Sequence, residues 1–376
     1  MKKCAVYKYC GGCKYQGIEY NKQLSNKYNY INNLLNKFCH VNDIIGMQDP
    51  YNYRNKVQVS FAYDENREVV YGNYEVSKHT IVPFDDCMIC DEQALEIIKS
   101  ITKLVNKYKI SLFDEVTLKG CLRHVLVRTT NLNQYMVVLV TGTSNINKKD
   151  LFINDILKYN SEITTIVQNI NNKHTSMVLG NSYKVLFGKG YVTDELCGLK
   201  FSISADSFYQ VNKRQTEVLY SKVLEIADLN SNDIVLDAYC GTGTIGLVCN
   251  KHCKQVYGVE INKNAVKDAI KNAKNNGIRN CYFINADASM FMQELAKNKD
   301  HIDLLIMDPP RTGSDLRFLK SVVKASINRI VYVSCGPESL ARDLEYLSKY
   351  YKVNSITPID MFPFTEHVET IVSLSK

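Results

Sequence analysis

The stretch Val235-Leu236-Asp237-Ala238-Tyr239-Cys240-Gly241-Thr242-Gly243-Thr244-Ile245-Gly246 decides the fold class of the C-terminal half. It opens as a β-type apolar run, turns through G-x-G-x-x-G and leads into a helical pattern. Glycines in such a turn let the backbone approach a ligand where a Cβ would clash. Further strand-like runs stand at residues 256–261, 281–286, 303–307 and 329–334, separated by helix-length segments. This alternation implies a parallel, doubly wound sheet with right-handed crossovers. Two last runs, 352–358 and 368–374, are joined by a link too short for a crossover helix, so they are expected to run antiparallel.

Upstream the pattern is less regular. Residues 1–40 hold a tight cysteine loop, then apolar positions at helical spacing (Ile18, Leu24, Tyr28, Ile31, Leu35, Phe38) that predict a helix with one buried face. Residues 41–205 mix strand-like runs at 56–63, 115–130 and 134–141 with helical patterns at 91–108 and 148–158, an α+β domain without a catalytic motif that is expected to bind RNA. The catalytic domain is expected from 206 to 376.

Composition excludes some classes. The chain is 45% hydrophobic and 23% charged, with no apolar run long enough to span a bilayer. The basic start has no apolar region behind it, so no signal peptide is read and a cytoplasmic protein is expected. The net charge of +7, with Tyr interleaved among Lys and Asn, suits a polyanion whose bases can stack. An AT-rich genome gives the same composition, so charge alone leaves the partner open. In the cytoplasm the 13 cysteines are expected to be thiols, metal ligands or catalysts rather than disulfides.

The strand ends carry the chemistry. Glu260 closes the second strand, where a carboxylate can hold two ribose hydroxyls. That arrangement also fits a dinucleotide oxidoreductase. Asp237 before the glycine turn, Asp287 after the third strand and Asp308-Pro309-Pro310-Arg311 after the fourth shift the reading to S-adenosylmethionine (SAM). Asp237 would face its amino-acid part and Asp287 its adenine. Cys335 follows the fifth strand and precedes Gly336-Pro337 and a helix, a setting that can favour thiolate. An antiparallel last strand would bring Glu369 to the same edge. A cysteine and a carboxylate beside SAM suggest methylation of pyrimidine carbon 5: Cys335 adds to carbon 6, and Glu369 later removes the carbon-5 proton.

These residues resemble the RNA uracil-5-methyltransferases. The resemblance rests on Ser207-Phe208-Tyr209-Gln210-Val211-Asn212, Asp237 to Gly243, Asp308-Pro309-Pro310-Arg311-Thr312-Gly313, Ser334-Cys335-Gly336-Pro337 and Phe362 to Glu369, which follow in order through the C-terminal half. It implies a Rossmann-like class I SAM methyltransferase domain. It implies that Gln210, Tyr239, Glu260 and Asp308, with Gly241, Gly243 and Asp287, make the cofactor site. Cys335 would be the nucleophile and Glu369 the base. Gly336 departs from the Asn usual after the cysteine.

Cys4, Cys10 and Cys13 resemble the family's iron–sulfur motif, with Cys87 aligning as the fourth ligand of a [4Fe–4S] cluster. Zinc is the chemical alternative, and Cys90 the competing ligand. The cluster motif points to the 23S ribosomal RNA members, here without their N-terminal β-barrel, and to a monomer. Transfer RNA T-loop methylation, RNA cytosine-5 methylation and RNA folding without turnover are the alternatives. Arg311 stands where cytosine-5 enzymes typically carry a second cysteine. Gly120 to His124 resembles a central-domain segment that contacts RNA, with a plain strand as the other reading.

Overall fold

In the computed structural model, which describes residues 4–76, 78 and 80–376, the first regular element is helix α1, Tyr20–Leu35. It has no side-chain cap, no acid in its first turn and no base in its last. Its ends therefore supply little, and the buried stripe Gln23, Lys27, Ile31 and Leu35, at successive i+4 steps, holds it. Half of that stripe is polar, which the apolar periodicity did not reveal.

The chain forms two compact units. The first comprises Met1–Gly17, Pro50–Glu195 and Phe201–Asp206; the second comprises Ile18–Asp49, Leu196–Lys200 and Ser207–Lys376. Helix α1 thus packs in the second unit, although it follows the cysteine loop in sequence.

The first unit is built on a seven-stranded sheet. Its strands are β1 (Lys56–Tyr63), β2 (Val69–Tyr74), β3 (Ile81–Pro83), β4 (Leu122–Thr129), β5 (Tyr135–Thr141), β6 (Ile163–Ile170) and β7 (Ser182–Phe187). They lie in the order β3-β2-β1-β4-β5-β6-β7. Helix α2 (Glu92–Tyr108) is capped by Asp91, whose carboxylate accepts from the Ala94 N–H. Helix α3 (Lys149–Tyr159) makes the crossover between β5 and β6, the one parallel pair of this sheet. The run expected at 115–130 becomes a strand only from Leu122, because Asp114 first collects the N–H groups of Val116 and Thr117 into a turn. A ribbon of β8 (Tyr191–Leu196) and β9 (Leu199–Ser204) follows.

Helix α4 (Lys213–Ala227), capped by Asn212, opens the remainder of the second unit. Strands β10 (Ile234–Ala238), β11 (Gln255–Glu260), β12 (Cys281–Asn285), β13 (Leu304–Met307) and β14 (Arg329–Ser334) then alternate with α5 (Thr244–Cys249), α6 (Lys263–Asn275), α7 (Ala288–Asn298) and α8 (Leu316–Ala325). Helix α9 (Pro337–Leu347) and strands β15 (Lys352–Ile359) and β16 (Glu369–Ser375) complete the chain. The order β12-β11-β10-β13-β14-β16-β15 inserts the last strand between β14 and β15, antiparallel to both. Strands β10 to β14 pair in parallel, so their carboxyl ends share one rim. Reversal of β16 brings its first residue to that rim. This is the Rossmann-like architecture that the strand–helix alternation predicted.

Candidate active site

The rim holds a cavity of about 570 Å³. Gln210, Tyr239, Gly241, Glu260, Asp287, Asp308, Cys335 and Glu369 all line it. Gly243 stands one turn back: its left-handed φ of 79° and the Phe283 ring 2.7 Å from where a Cβ would lie make glycine the residue that fits. Tyr239 also takes a left-handed φ, 64°, at the strand end, a conformation L-residues adopt only when their surroundings impose it.

The loop is polarised for a cationic ligand. Asp237, wholly buried, accepts from the Gly246 N–H through Oδ2 at 2.8 Å, while its Oδ1 is buried without a partner. A buried acceptor left unpaired is costly, and an ammonium group would satisfy it. Burial pushes Asp237 up to about 7, with Asp308 and Glu260 adding repulsion. Burial likewise raises Asp308 to about 7. The Glu260 carboxylate accepts from the N–H groups of Gly241 (3.1 Å) and Asn262 (2.7 Å), which fixes it beside the glycine loop. Asp287 caps α7 by accepting from the Met290 N–H, so its position follows from the helix start. These groups fit SAM: a free buried carboxylate oxygen for its ammonium, and a strand-end carboxylate for its ribose.

Cys335 and Glu369 share the far end of the cavity. Their strands are in register through the pair Ser334 and Thr370, and the next step along each is Cys335 and Glu369. The setting of the thiol differs from the thiolate-favouring one expected. Burial, then the negative charges of Glu369 and Asp308, push it up to about 11, against which Arg311 works. Glu369 is buried and raised to about 8, by desolvation and then Asp308, again opposed by Arg311. Among the described residues, Arg311 is the one Lys or Arg that lines this cavity. Its guanidinium also meets His367 at 3.5 Å. Phe208 and Phe362, which stand in two of the motifs that carry the resemblance but were given no role, line the same cavity.

In the first unit, Cys4, Cys10, Cys13, Cys87 and Cys90 line a second cavity of about 660 Å³. Burial raises Cys13 to about 12 and raises Cys4 as well. Cys87 is lowered, chiefly by a hydrogen bond from Cys90, whose own thiol is correspondingly raised. Among the described residues, no three His, Cys, Asp or Glu side chains converge closely enough to hold a single metal ion.

Arg123 is buried in β4. Its guanidinium donates to the carbonyls of Lys173 (2.9 Å) and Thr175 (2.8 Å) and pairs with Glu115 at 3.0 Å. His124 is buried as well, lowered to about 4 chiefly by desolvation, with Nδ1 3.0 Å from Ser60 Oγ. Of the segment from Gly120 to His124, Leu122 to His124 lie in β4, and Gly120 precedes it with a left-handed φ of 101°. No helix among the described residues is long and apolar enough to cross a membrane.

A glycine loop, a strand-end carboxylate and a buried acid with a free oxygen at the rim of this sheet are the features expected of a SAM-dependent methyltransferase. The tRNA (uracil-5-)-methyltransferase family model matches residues 19–376, and the chain belongs to that family. It is 40% identical to an uncharacterized RNA methyltransferase of Oceanobacillus iheyensis, over 99% of this chain and 82% of that one. It is 42% identical to another of Clostridium acetobutylicum, over 99% and 83%. Among solved structures it resembles the Pyrococcus abyssi tRNA (uracil-54, C5)-methyltransferase in complex with S-adenosyl-L-homocysteine. That match has a TM-score of 0.82 and 28% identity, covering 97% of this chain and 84% of that one. The protein is a SAM-dependent RNA methyltransferase.

Proposed function

We propose that this protein methylates carbon 5 of a uridine in RNA through a covalent adduct on Cys335. The observation that carries the reading is that Cys335, just past the end of β14, and Glu369, at the start of β16, line the one cavity that the glycine loop also lines. When bound, SAM supplies an electrophilic methyl group. Cys335 Sγ adds to uracil carbon 6, which makes carbon 5 nucleophilic enough to take that methyl. Glu369 then accepts the carbon-5 proton, the carbon 5–carbon 6 double bond re-forms, and Cys335 leaves. Arg311 offsets the negative charge around both groups. The target base must leave its stack to reach the thiol. Incubation with 5-fluorouridine RNA and SAM tests this: the fluorine cannot be removed by Glu369, so a denaturation-resistant complex should form. Its absence from active protein would sink the mechanism.

For the substrate we favour 23S ribosomal RNA, on the cysteine motif, with the protein acting as a cytoplasmic monomer. Cys4, Cys10, Cys13 and Cys87 would hold a [4Fe–4S] cluster. Thiols around one cavity suit a cluster, whose four ligands bind separate irons and need not converge on a point. Cys87 is taken as the fourth ligand on its alignment with the family motif, and Cys90, which lines the same cavity, is the competing one. Anaerobic reconstitution with iron and sulfide should give broad absorbance in the blue; a colourless, zinc-loaded protein would refute the cluster. Transfer RNA is the second reading, favoured by the likeness to the Pyrococcus abyssi enzyme. Mapping 5-methyluridine in ribosomal and transfer RNA with and without the gene separates the two.

A further inference from the structure

The turn of residues 308–315, between β13 and α8, brings Arg311 into the active-site cavity, and helix α9 grips it. Ser339 Oγ donates to the Arg311 carbonyl at 2.8 Å and lies 2.9 Å from the carbonyl oxygen of Gly336, next to Cys335. One helical turn on, Arg342 Nη2 donates to the carbonyls of Thr312 at 2.9 Å and Ser314 at 3.2 Å. Asp343 Oδ2 accepts from the Ser314 N–H at 2.9 Å. Positions 339, 342 and 343 neighbour one another on a helix surface, so that face is committed to the turn.

The grip is braced from behind. Asp343 is buried, and its other oxygen, Oδ1, accepts from Nε and Nη2 of Arg342 at 2.9 and 2.7 Å. The Tyr332 hydroxyl, from β14, donates to Asp343 Oδ2 at 2.7 Å. Gly313, with a left-handed φ of 75°, completes the fit: a Cβ there would lie 2.6 Å from Arg342 Nη2 and 2.7 Å from Asp343 Oδ2. Leu340, Leu344 and Leu347 bury an apolar stripe of α9 completely, so its polar face is left to serve the turn.

Helix α9 starts two residues after Cys335, so the element that fixes the backbone of the thiol also fixes the backbone of Arg311. The charged groups facing the thiol are Glu369 from β16 and Asp308 and Arg311 from the gripped turn. Two are acids that oppose its ionisation. The guanidinium, which also meets His367, works against them. Attraction between a guanidinium and a thiolate falls as they separate, so it depends on where the turn is held.

We propose that Ser339, Arg342 and Asp343 are positioning residues for the covalent step: they hold Arg311 beside Cys335, so that its charge is in place when the sulfur adds to uracil carbon 6. The proposal rests on the mechanism above, but its test reads the thiol without RNA. Iodoacetamide alkylates the thiolate with loss of iodide, and mass spectrometry of the Cys335 peptide at one fixed pH gives the rate. Ser339→Ala and Arg342→Ala should each slow it by roughly three- to tenfold, part of what an adjacent opposite charge provides. The Arg342 side chain is 58% exposed, so its variant removes no core group. A loosened fold would instead expose the thiol and speed alkylation, so the sign separates positioning from damage. Cys197, exposed on the turn between β8 and β9, should keep its wild-type rate. In an Arg311→Ala background neither substitution should slow Cys335 further, since both act through the guanidinium. Trapping of 5-fluorouridine RNA should slow in step, while Ser339→Ala binds SAM with wild-type affinity. Wild-type or faster alkylation of Cys335 in both variants, or the same slowing without Arg311, overturns the proposal. If that happens while the wild type still traps RNA, only the positioning is wrong. Slowed alkylation beside a wild-type protein that traps no RNA upholds the positioning and removes the methylation mechanism.

Discussion

Cys335 and Glu369 each stand one step beyond Ser334 and Thr370, the last pair in register between β14 and β16. Their relation is therefore fixed by sheet register rather than by a loop, and a slip by one residue would turn one side chain to the other face. On the proposed mechanism the two substitutions fail at different stages. Cys335→Ala should abolish both methyl transfer and covalent trapping. Glu369→Gln should still add and methylate but be unable to remove the carbon-5 proton. It should accumulate a denaturation-resistant complex with ordinary uridine RNA, while turnover drops by roughly 10² to 10⁴. Gel analysis of both variants with labelled SAM distinguishes them, and a Glu369→Gln protein that turns over normally removes the base from that position.

Three buried carboxyls around the cavity are raised: Asp237 and Asp308 to about 7 and Glu369 to about 8, burial leading in each. Folding lifts them above their unfolded values near ~4, so the folded chain binds the extra protons. Their contribution to stability is full below that value and is lost as pH rises through about 7 to 8. A cationic ligand favours their ionised forms. SAM binding should therefore tighten across the same range and release protons. Calorimetry in buffers of differing ionisation enthalpy reads the release, and Asp237→Asn should diminish it.

Helix α1 is tied to the catalytic unit by a buried ion pair. Lys27 Nζ donates to Asp360 Oδ1 at 2.6 Å and to the Phe362 carbonyl at 3.1 Å, and both side chains are fully buried. The Tyr20 hydroxyl donates to the other Asp360 oxygen at 2.9 Å, and the Phe364 N–H donates to Gln23 Oε1. Lys27→Met leaves Asp360 charged and without its ammonium partner, which should cost about 3–5 kcal/mol. Urea denaturation measures it. Adding Asp360→Asn should recover part of the loss, since the uncompensated charge is then gone.

Gly336 has an ordinary backbone, but a Cβ there would lie 2.4 Å from the Arg311 carbonyl oxygen and 2.7 Å from Ser339 Oγ. Ser339 Oγ in turn donates to that same carbonyl at 2.8 Å. The glycine that departs from the family pattern therefore lets the turn after the two prolines close on Cys335. Gly336→Asn should push Arg311 outward and lower the rate of trapping about tenfold or more, since small displacements of positioned groups cost heavily. Binding of SAM should change little. Single-turnover trapping against SAM titration checks both halves.

Much of the catalytic unit was legible because its signals are local. Strand–turn–helix periodicity and acids at strand ends lie next to each other in sequence, and the reversal of β16 followed from a link too short for a helix. The first unit was less legible. Strands β2, β3, β6, β7, β8 and β9 were not read, and β7, exposed along most of its length, shows no alternation between buried and exposed positions to read. The polar half of the α1 stripe was hidden because its partners are more than 330 residues away. The thiol of Cys335 was misjudged for a related reason. A helix start beside it is visible in sequence, whereas burial near Glu369 and Asp308 exists only after folding.

The earliest helix of the chain is completed by some of its latest residues. Val41 and Ile45 bridge to Ile356 and Ile359 on β15, alongside the Lys27 and Gln23 contacts with residues 360–364. During synthesis, the contacts of Lys27 and Gln23 with residues 360–364 can form only after those residues have left the ribosome. The first unit, whose segments end by Asp206, has no such delay and can form while the second is still being translated.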